Sequence, residues 1–320
     1  MQSPDVRKIT KIDEFPVLKV LKLMKHCMPH INHDGEVLKW QYFKTPKSNA
    51  NLYYIESHGE IISFFAMVCH QIRVGEKLLV ARAAQDVMTH NNHRGMGYLH
   101  FLGQIAREDI LAKGEFGITF PNEKSERSFR RNGWTELCPV PTRQKHLSET
   151  ATPSATKKTR IRISKVDVFS SQSIENIWWE SNFYLGIDRN HEYLRWRYSK
   201  PGQVYSSFVI GNGQGLLIVK IFESSVGKIM HICEFFLKDV ANEIAVDVLN
   251  FVEKLAKKSG CYKITAWLTL GHRYSEIFDN FGLKLEKSNR FIFITGEDKM
   301  LRKVNKACLW HISQGDSDVY

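Results

Sequence analysis

The stretch LKWQYFKTP, from Leu38 to Pro46, has a counterpart in LRWRYSKPG, from Leu194 to Gly202. Leu38, Trp40, Tyr42 and Lys44 in the first match Leu194, Trp196, Tyr198 and Lys200 in the second. Trp40 and Trp196 stand 156 positions apart, GITF and KITA 146, and Gly133 and Gly282 149. An offset that holds this closely over several elements marks an internal duplication with changes in the loops. Element order agrees as well as residue identity, which chance recurrence of short motifs does not produce. The chain is therefore expected to form two similar units of ordinary domain size.

In the first copy, DVRKITKID alternates as a short strand. EFPVLKVLKLMKHC carries apolar residues at the three- and four-residue spacing of an amphipathic helix. VLKWQYF predicts a second short helix stopped near Pro46, and His58-Gly59 a hairpin joining NLYYIES to EIISFFAMVCHQI. KLLVARAAQDVMTH reads as a long strand, and YLHFLGQIAREDILAKG as a helix ended by Gly114. FGITF, NEKSERSFRRNG and WTELCPV follow as strand, helix and strand. The order then repeats from RIRISKVDVF to LKLEKSNRFIFITG, with Asp239 as N-cap and Gly260 as stop of the long second-copy helix. Between the copies, SETATPSATKKT has no core-forming residue beyond alanine and reads as a linker. The expected boundaries are 1–147, a linker at 148–159, 160–312, and a polar tail at 313–320.

A net charge of +11 points to anionic partners. The lysines and arginines are spread along the chain, and no helix-turn-helix or zinc module appears, so nucleic acid is not an expected partner. No G-x-S-x-G is present to build a hydrolase nucleophile elbow. The six cysteines are scattered without a C-x-x-C pair, as reduced thiols would be. His26, Cys27, His30 and His33 in HCMPHINH fit no zinc spacing, so a solvated helix end is expected and no metal site. No run approaches the roughly 18 apolar residues of a membrane span. The start MQSPDVRKITKID has no apolar signal core, which makes a cytoplasmic protein the expectation.

The most informative segment is QDVMTHNNHRGMGYLHFLGQIA. A long strand ends, a glycine-containing loop follows, and a helix begins. Amides at a helix start lack helical acceptors, and the helix dipole favours an anion there. Glycine lets the backbone approach a phosphate closely. The combination suits a pyrophosphate.

This loop resembles the cofactor loop of the GNAT acetyltransferase family, R/Q-x-x-G-x-G/A. Here the residues are Arg94, Gly95, Met96, Gly97, Tyr98 and Leu99, with Leu99 in place of the final small residue. Downstream, FPNEKSERSFRRNGW resembles the family's second conserved region, with Asn122, Ser125, Phe129, Gly133 and Trp134 at its places. The resemblance implies an α+β fold of two tandem GNAT-like domains, each a mixed, mostly antiparallel sheet flanked by helices. It implies acetyl-CoA, or another acyl-CoA, as co-substrate. The amides of Gly95 to Leu99 would hold the pyrophosphate, Arg94 a phosphate, and the strand end at Met88, Thr89 and His90 the pantetheine arm. Asn122 and Ser125 would also face the cofactor.

Two departures matter. The tyrosine that many family members use as general acid is Phe129 here, which has no proton to donate. The second copy runs from CEFFLKD into VANEIAVD without glycine or arginine at the loop, so cofactor binding is expected in the first copy alone. Asp86, two residues before the thioester position on the long strand, is the first candidate for the general base. His90 is the second. Trp178, Trp179, Phe183 and Tyr184 are candidates for a sugar-binding face, against the simpler reading as core.

The resemblance thus implies direct N-acyl transfer, without an acyl-enzyme, to a primary amine of a small metabolite. The second conserved region together with W-x-Y resembles GNAT proteins associated with bacterial surface polysaccharide. That implies an amino sugar, free or nucleotide-linked, as acceptor. A homodimer is a further expectation. The alternative is a non-catalytic acyl-CoA-binding protein or polysaccharide-assembly accessory.

Overall fold

The computed structural model describes residues 4–29, 34–47, 50–147, 161–167, 174–238 and 242–317. The expected linker, His30, His33 and the Asp239 cap lie outside them. The chain divides into two compact units: Met1–Pro139 with Arg290–Asn305, and Val140–Asn289 with Lys306–Tyr320.

Unit 1 begins with strand β1 (Val6–Ile9), helices α1 (Val17–Cys27) and α2 (Gly35–Phe43), and strands β2 (Asn51–Ser57), β3 (Glu60–Val74) and β4 (Lys77–Thr89). Helix α3 (Tyr98–Ala112), β5 (Phe116–Thr119), α4 (Glu123–Arg131) and β6 (Thr135–Pro139) follow. Asp34 caps α2, its carboxylate accepting the Glu36 amide. His58 and Gly59, both at positive φ, make the predicted β2–β3 turn. Val20, Leu23 and Met24 of α1 bury at helical spacing against Phe64, Ala66 and Val68 of β3. Leu102, Ala106 and Ile110 of α3 do the same on the other sheet face, against Phe65 and Met67.

Unit 2 opens with β7 (Thr142–His146), β8 (Ile163–Val166), α5 (Ile174–Glu180), β9 (Leu185–Ile187) and α6 (His191–Arg197). It continues through β10 (Ser206–Ile210), β11 (Gly215–Ser224), β12 (Gly227–Leu237), α7 (Asn242–Lys258), β13 (Cys261–Trp267), α8 (Ser275–Phe281) and β14 (Lys284–Leu285). Then β15 (Phe291–Thr295) and α9 (Asp298–Val304) return to unit 1.

The sheets follow the orders β1-β2-β3-β4-β5-β15-β6 and β14-β7-β13-β12-β11-β10-β8. Along these orders the described pairings are antiparallel except β4–β5 and β12–β13. The architecture is the expected α+β pair of mixed sheets. The units do not follow the expected boundaries 1–147 and 160–312, however. β15 lies antiparallel between β5 and β6, and β7 lies antiparallel beside β13. The copies have exchanged a late strand. Alternation along a strand specifies its buried face, but not which neighbour will pair with it.

Burial corrects the sugar-face reading for Trp178 and Phe183, while Trp179 is half-buried and Tyr184 is exposed. Trp178 is fully buried and stacks on Phe183 with ring centroids 5.3 Å apart, so both belong to the core. The expected polar tail is likewise buried where it is described: Ser313, Gln314 and Ser317 are shielded from solvent. They bury because unit 2 supplies partners, such as Thr265, whose Oγ1 accepts from Gln314 Nε2 at 2.9 Å.

Unit 2 also holds three histidines largely out of water. His231 is pushed down to about 4 by burial, with Lys220 and Lys263 adding repulsion. His272 and His311 are driven well below the usual imidazole range, mainly by burial. In the unfolded chain histidine titrates near about 6.5. The stability these groups contribute is therefore complete above that pH and is lost as pH falls below it. His231 alone accounts for about 3 kcal/mol by pH 4. Asp316, whose carboxyl burial raises to about 6, runs the other way between about pH 6 and 4, one group against three. Urea midpoints for unit 2 should fall from pH 7.5 through 6 to 5; an unchanged midpoint contradicts this balance.

Candidate active site

Strand β4 pairs in parallel with β5 only from Ala81↔Phe116 to Ala84↔Thr119. At the last pair the Thr119 hydroxyl donates to the Ala84 carbonyl at 3.0 Å. Beyond that point, among the described residues, no strand pairs β4 on this side. On its other edge β4 carries one extra residue: Ala66 faces Gln85, but Phe64 faces Met88. This is a β-bulge, which bends a strand and re-aims its side chains. Asp86 sits in it at φ +47°, the left-handed region that aspartate tolerates better than most residues. The bulge and the end of pairing together open a fork in the sheet.

The Asp86 side chain is held from α2. Its Oδ2 accepts from the Tyr42 hydroxyl at 2.6 Å and from Gln41 Nε2 at 2.7 Å. Gln41 also donates to Gln85 Oε1 at 2.9 Å. Tyr42 is fully buried, so its hydroxyl is a fixed anchor. Neither partner was singled out from sequence as a site residue. Tyr42 stood in the recurring motif. The second copy contains the matching bond, from the Tyr198 hydroxyl to Glu234 Oε1 at 3.0 Å. The recurring tyrosine holds a carboxylate on the long strand in both copies.

At the end of β4, the Ser63 hydroxyl donates to the Met88 carbonyl at 3.2 Å and lies 2.9 Å from Thr89 Oγ1. The Thr89 carbonyl accepts from Arg94 Nε at 3.4 Å and from Cys27 Sγ at 3.5 Å. The loop then makes a 3-10 turn at Asn91–His93, with His90 Nδ1 accepting the Asn92 amide. Gly95 and Gly97 both lie at φ +80°, and Gly97 is the N-cap of α3. A Cβ on either would meet nothing within 4 Å, so glycine is required for conformation and not for room. No side chain caps α3, so the amides of Tyr98 and Leu99 are left for another acceptor. Arg94, Gly95, Met96 and Gly97 are all exposed.

His90 follows the last residue of β4, its amide donating to the Ile62 carbonyl at 2.8 Å. Its ring stacks on His26 at 3.8 Å, and it lines a groove of about 550 Å³ with Lys22, Lys25, His26, His58 and His93. Desolvation first, then His26, His93 and Arg94, lowers its proton affinity. Asn122 and Ser125 stand just past the end of β5. Asn122 Oδ1 accepts the Lys124 and Ser125 amides as the N-cap of α4, and the Ser125 hydroxyl turns back to the Asn122 carbonyl. Phe129 packs between Phe65 and Trp134, with ring centroids at 5.8 and 5.1 Å, as a core residue.

Residues 6–136 match a family model described as "Acetyltransferase (GNAT) domain". A comparison with curated proteins finds no match. Among solved structures, a GCN5-related N-acetyltransferase from Anabaena variabilis aligns with TM-score 0.66 at 13% identity, over 91% of this chain and 72% of that one. A probable N-acyltransferase from Enterococcus faecalis aligns with TM-score 0.69 at 11% identity, over 92% and 73%. Eis1 from Mycobacterium abscessus aligns with TM-score 0.61 at 14% identity, over 94% and 76%. At these identities the likeness is one of fold, and it extends over both sheets. Over residues 6–136 the chain is thus similar to the GNAT acetyltransferase domain, and its fold is a pair of GNAT-like α+β units.

Proposed function

We propose that this chain is an acyl-CoA-dependent N-acyltransferase and that unit 1 carries the reaction. The observation that supports it most is the forked, bulged strand β4, which runs into two left-handed glycines at an uncapped helix start. The amides of Gly95, Met96, Gly97, Tyr98 and Leu99 take the pyrophosphate, and Arg94 adds charge to a phosphate. The strand end at Met88, Thr89 and His90 lies along the pantetheine. Asn122 and Ser125 border the far side of the fork. Asp86 is the general base, held toward the α2 face by Tyr42 and Gln41. His90 serves the loop and not the reacting amine.

The acceptor amine gives a proton to Asp86 as its nitrogen attacks the thioester carbonyl carbon. A C–N bond forms, the C–S bond breaks, and the thiolate takes its proton from water, since Phe129 has none to give. The acceptor is a primary amine of a small metabolite, with amino sugars and nucleotide-linked amino sugars first in order. The test is release of free CoA from acetyl-CoA across a panel of such amines, with mass spectrometry of the product. At least one amine should give an N-acetylated product. Binding of acetyl-CoA with no turnover on any amine would favour the alternative, a non-catalytic acyl-CoA-binding protein; the buried Phe129 leans toward it.

A further inference from the structure

Unit 2 repeats the fork of unit 1. β12 pairs in parallel with β13 from Lys228↔Cys261 to Ile232↔Ala266, and the described pairing stops there. On the opposite edge Val219 faces Ile232 but Ile218 faces Glu234, so Cys233 is the extra residue of a bulge. Asp86 and Glu234 are 148 positions apart, within the 146 to 156 spread of the duplication. Each receives a bond from the tyrosine of the recurring motif.

This second fork is filled by the chain itself. The segment from Trp310 to Ser317 enters it beside β9, with a parallel bridge from Leu185 to Trp310 and the His311 amide donating to the Leu185 carbonyl at 2.7 Å. The Ser313 hydroxyl then donates to Glu234 Oε1 at 3.0 Å, and Gln314 Nε2 to Thr265 Oγ1 at 2.9 Å. Thr265 is the counterpart of Thr119, which closes the fork of unit 1. Arg189 holds both Asp316 oxygens, at 2.7 and 2.8 Å, and Arg197 reaches the Gly315 and Ser317 carbonyls. A Cβ on Gly315 would stand 2.2 Å from the Tyr198 hydroxyl and 2.7 Å from Glu234 Oε1. Only about 10 Å³ remains in the cavity between Ile232, Ala266, Trp267, His311 and Ser313, room for one water at most.

We propose that the fork of unit 2 is a peptide-binding cleft and that its ligand is the chain's own segment Trp310–Ser317. Two arginines, a tyrosine and a carboxylate read this segment through its backbone carbonyls, one aspartate and one glycine. That is the recognition of a short peptide that bends through a 3-10 turn at Gln314–Asp316 and carries one acidic side chain, made in cis. Unit 2 takes no acyl-CoA, because the space and the hydrogen-bonding edge are already used. The inference rests on the shared fold and is independent of the activity proposed for unit 1.

Hydrogen exchange on the full chain tests it. Amides from His311 to Ser317 should exchange at least about 100-fold more slowly than in a free peptide of the same sequence. Saturating acetyl-CoA should leave that protection unchanged. Gly315→Val should abolish it and also expose Cys233–Leu237, while β2, β3 and β4 exchange as before. Adding a synthetic peptide of residues 310–317 to that variant should restore protection of Cys233–Leu237. Free-peptide rates in the wild type, loss of protection on adding acetyl-CoA, or no rescue by the peptide would each overturn the proposal. The wild-type comparison decides even where the valine variant does not fold. It can be read whether or not acetyl-CoA binds unit 1, so failure here is distinct from failure of the acyltransferase reading.

Discussion

Asp86→Asn is expected to lower kcat by about 10²–10³-fold, the range for loss of a positioned general base, with the KM for acetyl-CoA within about threefold. The substitution is chosen for what it keeps. Asparagine adopts the left-handed region at least as readily as aspartate, so the bulge at φ +47° is retained. Its amide oxygen can still accept from Tyr42 and Gln41, which anchor Oδ2 at 2.6 and 2.7 Å. What is lost is the charge and the capacity to take a proton. The acidic limb of the kcat profile should vanish with it. A purely structural aspartate would behave otherwise: the asparagine variant would keep its kcat and its pH profile. Steady-state kinetics between pH 5 and 9, with the acceptor found in the amine screen, separates the two.

Arg189→Met should destabilise unit 2 by about 3–5 kcal/mol, the cost of removing one partner from a buried ion pair. Arg189 is wholly buried, and so is Glu234, while Asp316 is nearly so. The guanidinium holds Asp316 through both oxygens, Glu234 at 3.4 Å, and the Ile187 carbonyl at 2.7 Å, and it lies 5.0 Å from the Trp178 ring. Methionine fills similar volume, so little of the effect comes from a cavity. It comes from two carboxylates left in a dry interior without their cation. Against a total stability of about 5–15 kcal/mol this is a large fraction. The melting temperature of unit 2 should drop by about 10 °C. The triple variant that also removes the charge of Glu234 and Asp316 should recover much of the loss, because the penalty is uncompensated charge. A drop of less than about 2 °C for the single variant would show that water reaches this network.

The repeat, the element order and the glycine loop could all be seen in the sequence, because each rests on local periodicity and local backbone demand. Apolar spacing marked α1 and α3, and the positive φ of Gly95 and Gly97 is the reason those positions are glycine. What the sequence hid depends on partners distant in the chain. Nothing local tells that Phe291–Thr295 pairs with Phe116–Thr119, or that Thr142–His146 lies beside Cys261–Trp267. Ser313, Gln314 and Asp316 look like a solvated tail until Arg189, Glu234 and Thr265 are brought to them. The Tyr42–Asp86 bond spans 44 positions; its clue was the matching Tyr198–Glu234 pair, visible only once both long strands are seen to bulge.

The central claim is that the loop from Arg94 to Leu99 holds the pyrophosphate of an acyl-CoA. Calorimetry with acetyl-CoA on the wild type and on Gly97→Glu tests it most directly. Gly97 lies at φ +80° at the start of α3, where glutamate brings backbone strain and a negative charge to the amides proposed to hold the phosphates. One site per chain in the wild type, weakened by about 100-fold or more in the variant, is the predicted result. No binding in the wild type, or equal binding in Gly97→Glu, would contradict the account.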